Sequence, residues 1–183
     1  MGEHFQHVAA PDVARADAAA IAQTVTRWLQ HRQIIALELT DCVLSEAGGY
    51  GPGDNAALAL SPDDNVPDLW TNGLEIKVGP TVFYTAYGPT AFTCPACGAT
   101  EPEDFFDVIV QAVDAWMLDE AAGALACPAC SVETSLKAWR YDEGWAFADF
   151  GLVFWNWPPL AASFLQKLEA VIGSTLVLGD GKL

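Results

Sequence analysis

Two matched turns carry most of the thiol chemistry of this chain: Cys94-Pro95-Ala96-Cys97-Gly98 and Cys127-Pro128-Ala129-Cys130-Ser131, which together hold four of its five cysteines. In a CxxC turn the two sulfurs reach two corners of one tetrahedron, and two such turns flanking an insert supply all four corners. The turn also aims backbone N–H groups at the sulfurs, which offsets part of the thiolate charge. Pro95 and Pro128 preset φ at about −65° at the second position. Gly98 follows the first turn, where a left-handed backbone costs least without a Cβ, and Ser131 takes the equivalent place in the second. Four thiolates close the coordination shell, so Cys94, Cys97, Cys127 and Cys130 are expected to ligate a structural ion rather than a catalytic one. Thiolate ligands favour zinc, with iron the runner-up. Two disulfides, or four free thiols in a core, are the competing readings.

The doubled CPxC resembles the zinc-ribbon class, in which two such knuckles clamp one zinc. The resemblance covers roughly residues 92–134 and implies the same four cysteines as ligands. The spacing is also similar to that of rubredoxin, which holds one iron for electron transfer, but rubredoxin's insert is rich in tyrosine, glycine and aspartate turns. Here the insert from Glu103 to Glu120 predicts an amphipathic helix, with Phe106, Val110, Val113 and Met117 on one stripe and Phe105, Ile109 and Trp116 beside it. Zinc is favoured over iron on that difference. The segment Phe154-Trp155-Asn156-Trp157-Pro158 and the ending Gly181-Lys182-Leu183 resemble uncharacterised bacterial proteins with a similar cysteine pair, a likeness that implies no activity.

The elements that must position the cysteines are legible in outline. Residues 1–11 read as a loose arm, including the HxxH of His4 and His7. Asp12 is placed to cap a helix to about Gln30, with Val13, Ile21, Val25, Trp28 and Leu29 on one face. Gln33–Leu39 is an apolar run suited either to a first strand or to an extension of the helix. Gly48-Gly49-Tyr50-Gly51-Pro52-Gly53-Asp54 is dense in breakers and reads as a surface loop; it lacks the Gly-Lys-Ser/Thr of a phosphate loop. Ser61-Pro62-Asp63-Asp64-Asn65 is a second loop, without full EF-hand spacing. Leu74, Ile76 and Val78 alternate with Glu75 and Lys77, Gly79-Pro80 is expected to turn the chain, and residues 81–87 should return as the second strand of a hairpin. Leu136–Tyr141 and Ala146–Trp157 follow as strands. Pro158-Pro159 open a last helix with Leu160, Phe164, Leu168 and Val171 or Ile172 inward, Gly173 ends it, and Ser174–Leu178 is a final strand. The expected fold is α+β: a mainly antiparallel sheet, two principal helices and an inserted zinc-ribbon-like lobe. Residues 1–183 form one domain in this reading, with residues 92–134 the inserted knuckle lobe that contains a helix.

Composition narrows the function. A 52% hydrophobic content in 183 residues supports a real core and argues against disorder. No apolar run is long enough to span a membrane, and Met1-Gly2-Glu3-His4 does not open a signal peptide, so a cytoplasmic setting with reduced thiols is expected. The formal charge is −16, with only 8 basic residues. That balance opposes nucleic-acid binding, which needs lysine and arginine against phosphate. It suits either plain solubility or a surface that meets a basic protein partner.

Other chemistry is sparse. Cys42 is a conceivable thiol nucleophile with His31 as its base, but beside Val43 and Leu44 a lone cysteine reads as buried and inert. Carboxylates are abundant without any spacing that pairs them. The aromatic stretch 145–157 reads as core, with Phe154 and Trp155 on opposite faces; the other reading is a ligand groove with Asn156 as its polar contact. The functional expectation is a small acidic protein with structural zinc, acting as a protein-interaction or regulatory module, immunity type included. The alternative is an enzyme with a carboxylate- or thiol-based site and a structural zinc.

Overall fold

In chain order the computed structural model, which describes residues 2–183, runs β1 (His4–Ala9), α1 (Arg15–His31), β2 (Ile35–Thr40), β3 (Gly49–Pro52), β4 (Leu74–Phe83), β5 (Phe92–Thr93), β6 (Thr100–Glu101), α2 (Phe106–Leu118), β7 (Ala124–Ala126), β8 (Glu133–Ser135), β9 (Arg140–Tyr141), β10 (Ala146–Trp155), α3 (Ala162–Ile172) and β11 (Val177–Lys182). The main sheet has six strands in the order β11-β1-β10-β4-β3-β2, antiparallel throughout. The α+β class and the antiparallel sheet are as the sequence predicts. Among the described residues, no helix is long and apolar enough to cross a membrane.

Strand β10 organises the sheet because all ten of its residues are buried. Phe150, Leu152 and Phe154 face α1 and α3, whose inward residues are Ala18, Ala22, Val25 and Leu29 on one helix and Phe164, Leu168 and Ile172 on the other. Each fully buried large side chain of this kind stabilises the fold by about 1.5–3 kcal/mol relative to exposure. Trp28 stacks on Phe164 with ring centroids 5.9 Å apart, joining the two helices. Gly173 closes α3 in the left-handed region at φ 74°, the conformation expected of a glycine C-cap.

A bulge in β4 interrupts its pairing with β10. The register against β4 shifts between Ala148 and Phe150. Ala146 and Ala148 precede it, Val153 and Trp155 follow it, and all four pack in one cluster on the sheet face away from the helices. Across the shift a single residue of β10, Asp149, stands against two of β4, Gly79 and Pro80, so the extra residue belongs to β4; the parity that β10 turns outward changes there, and Asp149 falls outside the regular ladder. On the opposite face, Phe147 packs into the cysteine-bearing lobe while Phe150 packs under α1 and α3. The lobe and the helical layer therefore lie side by side, with Asp149 at their seam.

Several sequence expectations fail for identifiable reasons. The supposed arm is β1, paired on both sides, with Phe5 opposite Trp155 and Val8 opposite Leu178. Its mixed composition hides a strand whose partners lie near the other end of the chain. The breaker-rich stretch at 49–52 is β3, not a loop. A Cβ at Gly49 would collide with Val43 and with the Leu74 carbonyl, so glycine there serves close packing rather than a turn. Gly79-Pro80 does not turn the chain: β4 runs on to Phe83, with Gly79 at φ +97° and Pro80 forming the bulge opposite Asp149 of β10. Asp12 does not cap α1, whose N-cap is Ala14; its carboxylate accepts the Thr175 hydroxyl instead. Residues 136–138 form a 3₁₀ turn rather than a strand.

Candidate metal centre

The two knuckles fold alike because their local hydrogen bonds are alike. In the first, the Gly98 N–H donates to the Cys94 carbonyl at 2.9 Å and the Cys94 N–H to the Ala99 carbonyl at 2.9 Å. In the second, Ser131 N–H donates to Cys127 O at 2.8 Å and Cys127 N–H to Val132 O at 3.1 Å. Gly98 sits at φ +74° and Ser131 at φ +59°, so both knuckles need a left-handed residue and only one has glycine. The Ala96 N–H points at the Cys94 sulfur, 3.4 Å away.

These turns bring Cys94, Cys97, Cys127 and Cys130 together, with all four sulfurs within 4.8 Å of one another. The cross-knuckle separations are 4.0 Å for Cys94 to Cys130 and 3.8 Å for Cys97 to Cys127. A tetrahedral ion with metal–sulfur bonds of about 2.3 Å requires edges of about 3.8 Å, which these two cross-knuckle separations match closely. Cys94 and Cys127 are buried, Cys130 is half-buried and Cys97 is exposed. The cluster can hold a metal ion.

Its electrostatics point the same way. Burial alone would raise the Cys94 thiol, but N–H groups of Cys97 and Ala96 outweigh it and bring it down to about 7. The Ala99 N–H favours the Cys97 thiolate, yet burial and the neighbouring sulfurs push that thiol up to about 12. Burial raises Cys127 as well. Sulfurs this close repel as thiolates, so full ionisation of the four requires a cation among them.

Behind the knuckles is an apolar cluster of its own. Phe92, Phe105, Ile109, Trp116, Leu125 and Leu136 are buried there with Cys94 and Cys127. The cluster extends past residue 134 to Trp139, Tyr141 and Phe147. Aromatic pairs hold it, with Phe105 on Trp139 at 5.1 Å and Tyr141 edge-on to Phe147 at 4.9 Å. Helix α2 buries Ile109, Ala112 and Trp116, in line with Phe105 just before it, the second of the two apolar stripes.

An ion cluster latches the lobe to the helical layer. Asp149, fully buried, accepts Arg15 Nε at 2.8 Å and Lys137 Nζ at 2.7 Å. Lys137 also reaches Glu120 at 2.7 Å and donates to the Val13 carbonyl at 3.0 Å. Arg15 donates to the Trp116 carbonyl at 2.7 Å and lies over that indole, 5.5 Å from its centroid. Two acids and two bases balance, and they tie the start of α1, the end of α2, the turn after β8 and the middle of β10 together. The Lys137 ammonium beside Glu120 holds that carboxyl below its usual range, against a smaller opposing effect of burial. Sequence reasoning missed this cluster, although a lone aspartate inside the apolar run 146–155 was a readable signal.

The remaining sequence candidates are placed elsewhere. Cys42 is half-buried, its sulfur packed against Gly73 beside Val43, while His31 is exposed at the end of α1. No hydrogen bond joins them among the described residues. His4 is exposed, but His7 is buried, its Nε2 3.0 Å from the Gly144 carbonyl, and burial lowers its pKa. His7 and the buried Glu75 line a cavity of about 160 Å³ in the bend of the sheet. Glu75 accepts the Trp155 indole N–H at 3.2 Å and pairs with Lys77, so its carboxylate is already engaged. Phe154 and Trp155 take opposite faces and both are core. Asn156 is structural: it accepts the His4 N–H at 2.9 Å and donates to the Thr71 carbonyl at 2.6 Å.

Comparison with protein-family models, with curated proteins and with solved structures yields no match. The likeness to a zinc ribbon therefore stands on the cysteine cluster, and no match supports the likeness of the tail to bacterial proteins.

Proposed function

We propose that the chain is a small acidic protein-interaction module whose cysteine-bearing lobe is held by one structural zinc ion on Cys94, Cys97, Cys127 and Cys130. The observation that carries the reading is the closed set of four sulfurs, mutually within 4.8 Å and backed by a dedicated apolar cluster. Such a shell leaves no position for substrate, so the ion supplies folding energy rather than catalysis. The partner is a basic protein, which the net charge of −16 attracts at long range. A regulatory role of the immunity type, in which an acidic chain masks a basic one, is the specific form we favour.

The test has two parts. Purified untagged protein should contain one zinc per chain, and chelation should unfold the lobe. Affinity capture at low salt should recover a basic protein, and binding of that protein, once purified, should weaken steeply as salt rises. Retention of a neutral or acidic protein with no salt dependence would remove the basis for the partner. An enzyme acting through a carboxylate draws its support from the cavity beside His7 and Glu75. If Glu75→Gln abolished a measured turnover while leaving the melt unchanged, that reading would displace the first.

A further inference from the structure

Helix α2 is apolar on more of its surface than the lobe can bury. Ile109, Ala112 and Trp116 face the core, while the neighbouring stripe is only partly covered: Phe106 and Val113 are half-buried against the core, and Val110 and Met117 stand exposed beside them. Val110 is 43% exposed and Met117 46% exposed. The stripe continues beyond the helix: Phe106 meets the half-buried Trp145 edge-on at 6.2 Å, and Trp145 meets the exposed Tyr84 at 6.3 Å. Methionine and aromatic side chains gathered on one surface are the composition of interface centres rather than of ordinary solvated surface.

Charge decides what can cover it. Asp107 and Asp114 run beside the stripe on α2, are exposed, and have no ion-pair partner among the described residues. Residues 100–136 contain no lysine or arginine. A second copy of this chain would bring the same carboxylates and the same net charge of −16 against them. Nucleic acid is opposed for the same reason. From Phe106 to Met117 the stripe is about three helical turns, or roughly 17 Å, the length of a short helix lying alongside.

We infer that this outward face of α2, extended by Trp145, is the docking surface for a basic amphipathic helix of another protein. The partner's apolar side packs on Val110, Val113 and Met117, and its lysines or arginines reach Asp107 and Asp114. This inference rests on the reading of the chain as an acidic interaction module and supplies the surface that reading lacks.

A direct probe is a 14-residue peptide of leucine and lysine in helical order, with a scrambled peptide of the same composition as control. Titration at low salt, followed by calorimetry and tryptophan fluorescence, should show the ordered peptide binding at least about tenfold more tightly than the scrambled one. Val110→Ser with Met117→Ser should remove about tenfold of that affinity, and Asp107→Lys with Asp114→Lys, which leaves the stripe intact, should do the same. Melting and metal content of both double variants should match the wild type, since all four side chains are exposed. Wild-type affinity in either double variant, or equal binding of both peptides, overturns the docking surface while leaving an acidic module that meets basic partners elsewhere. Binding of neither peptide overturns the parent reading as well. A wild-type dimer in sedimentation that the serine pair dissolves overturns the choice of occupant.

Discussion

Replacing Asp149 with asparagine tests how the lobe is joined to the rest of the molecule. The side chain is completely buried and accepts two cations, Arg15 at 2.8 Å and Lys137 at 2.7 Å. Asparagine keeps the shape but removes the charge, leaving both cations without their shared acceptor. Breaking a buried pair on one side costs about 3–5 kcal/mol. The lower end applies here, because Lys137 retains Glu120 at 2.7 Å and the Arg15 side chain is 26% exposed. A loss of about 3 kcal/mol in a chain of this size lowers Tm by about 6–12 °C. Glu120→Gln is the internal control: the Glu120 side chain is 35% exposed, so solvent screening limits its contribution to under about 1 kcal/mol. The assay is urea and thermal unfolding of both variants, together with amide exchange. The account predicts that Asp149→Asn loses protection first at the turn after β8 and the first turn of α1, with metal retained. An Asp149→Asn protein that melts with the wild type, or no lower than Glu120→Gln, would refute the latch.

Other outcomes are expected from the same structure. Cys127→Ser should abolish stoichiometric metal binding and deprotect amides between residues 92 and 145, while exchange in β1, β4 and β10 stays slow; a variant that melts and exchanges like the wild type would mean the cysteines bind no metal. Ser131→Gly should stabilise the lobe by about 1 kcal/mol, since φ +59° is strained for serine and free for glycine, and a higher urea midpoint checks it. His7 is held neutral by burial, its pKa depressed below the ordinary 6.5. The unfolded chain therefore binds the extra proton first, so stability is full above about pH 6.5 and falls as pH drops below it. His7→Gln should flatten that slope in melts between pH 7 and pH 5, and an unchanged slope would clear His7 of the effect.

The sequence carried what is local. The cysteine turns were readable because ligand spacing, Pro95 and Pro128, and a left-handed residue at Gly98 or Ser131 are all set within a few residues. Helix α3 was readable from one stripe and a glycine stop. What escaped was fixed by distant partners. Strand β1 is recognisable only once Phe5 stands opposite Trp155. Gly49 and Gly79-Pro80 looked like turns because a glycine required for close approach, or one inside a bulge, is spelled the same way as a glycine in a loop. Helix α2 offered two apolar stripes, and only the positions of Phe92, Leu125 and Leu136 decide which is buried. Asp149 broke the apolar pattern of β10 visibly, but its partners lie 134 residues away at Arg15 and 12 residues away at Lys137.

The most direct test of the central claim is metal analysis of untagged protein purified without added metal, combined with X-ray absorption at the metal edge. The account predicts one zinc per chain, with four sulfur neighbours at about 2.3 Å. Iron in its place would move the protein toward electron transfer, and metal-free protein with four titratable thiols would contradict the account outright.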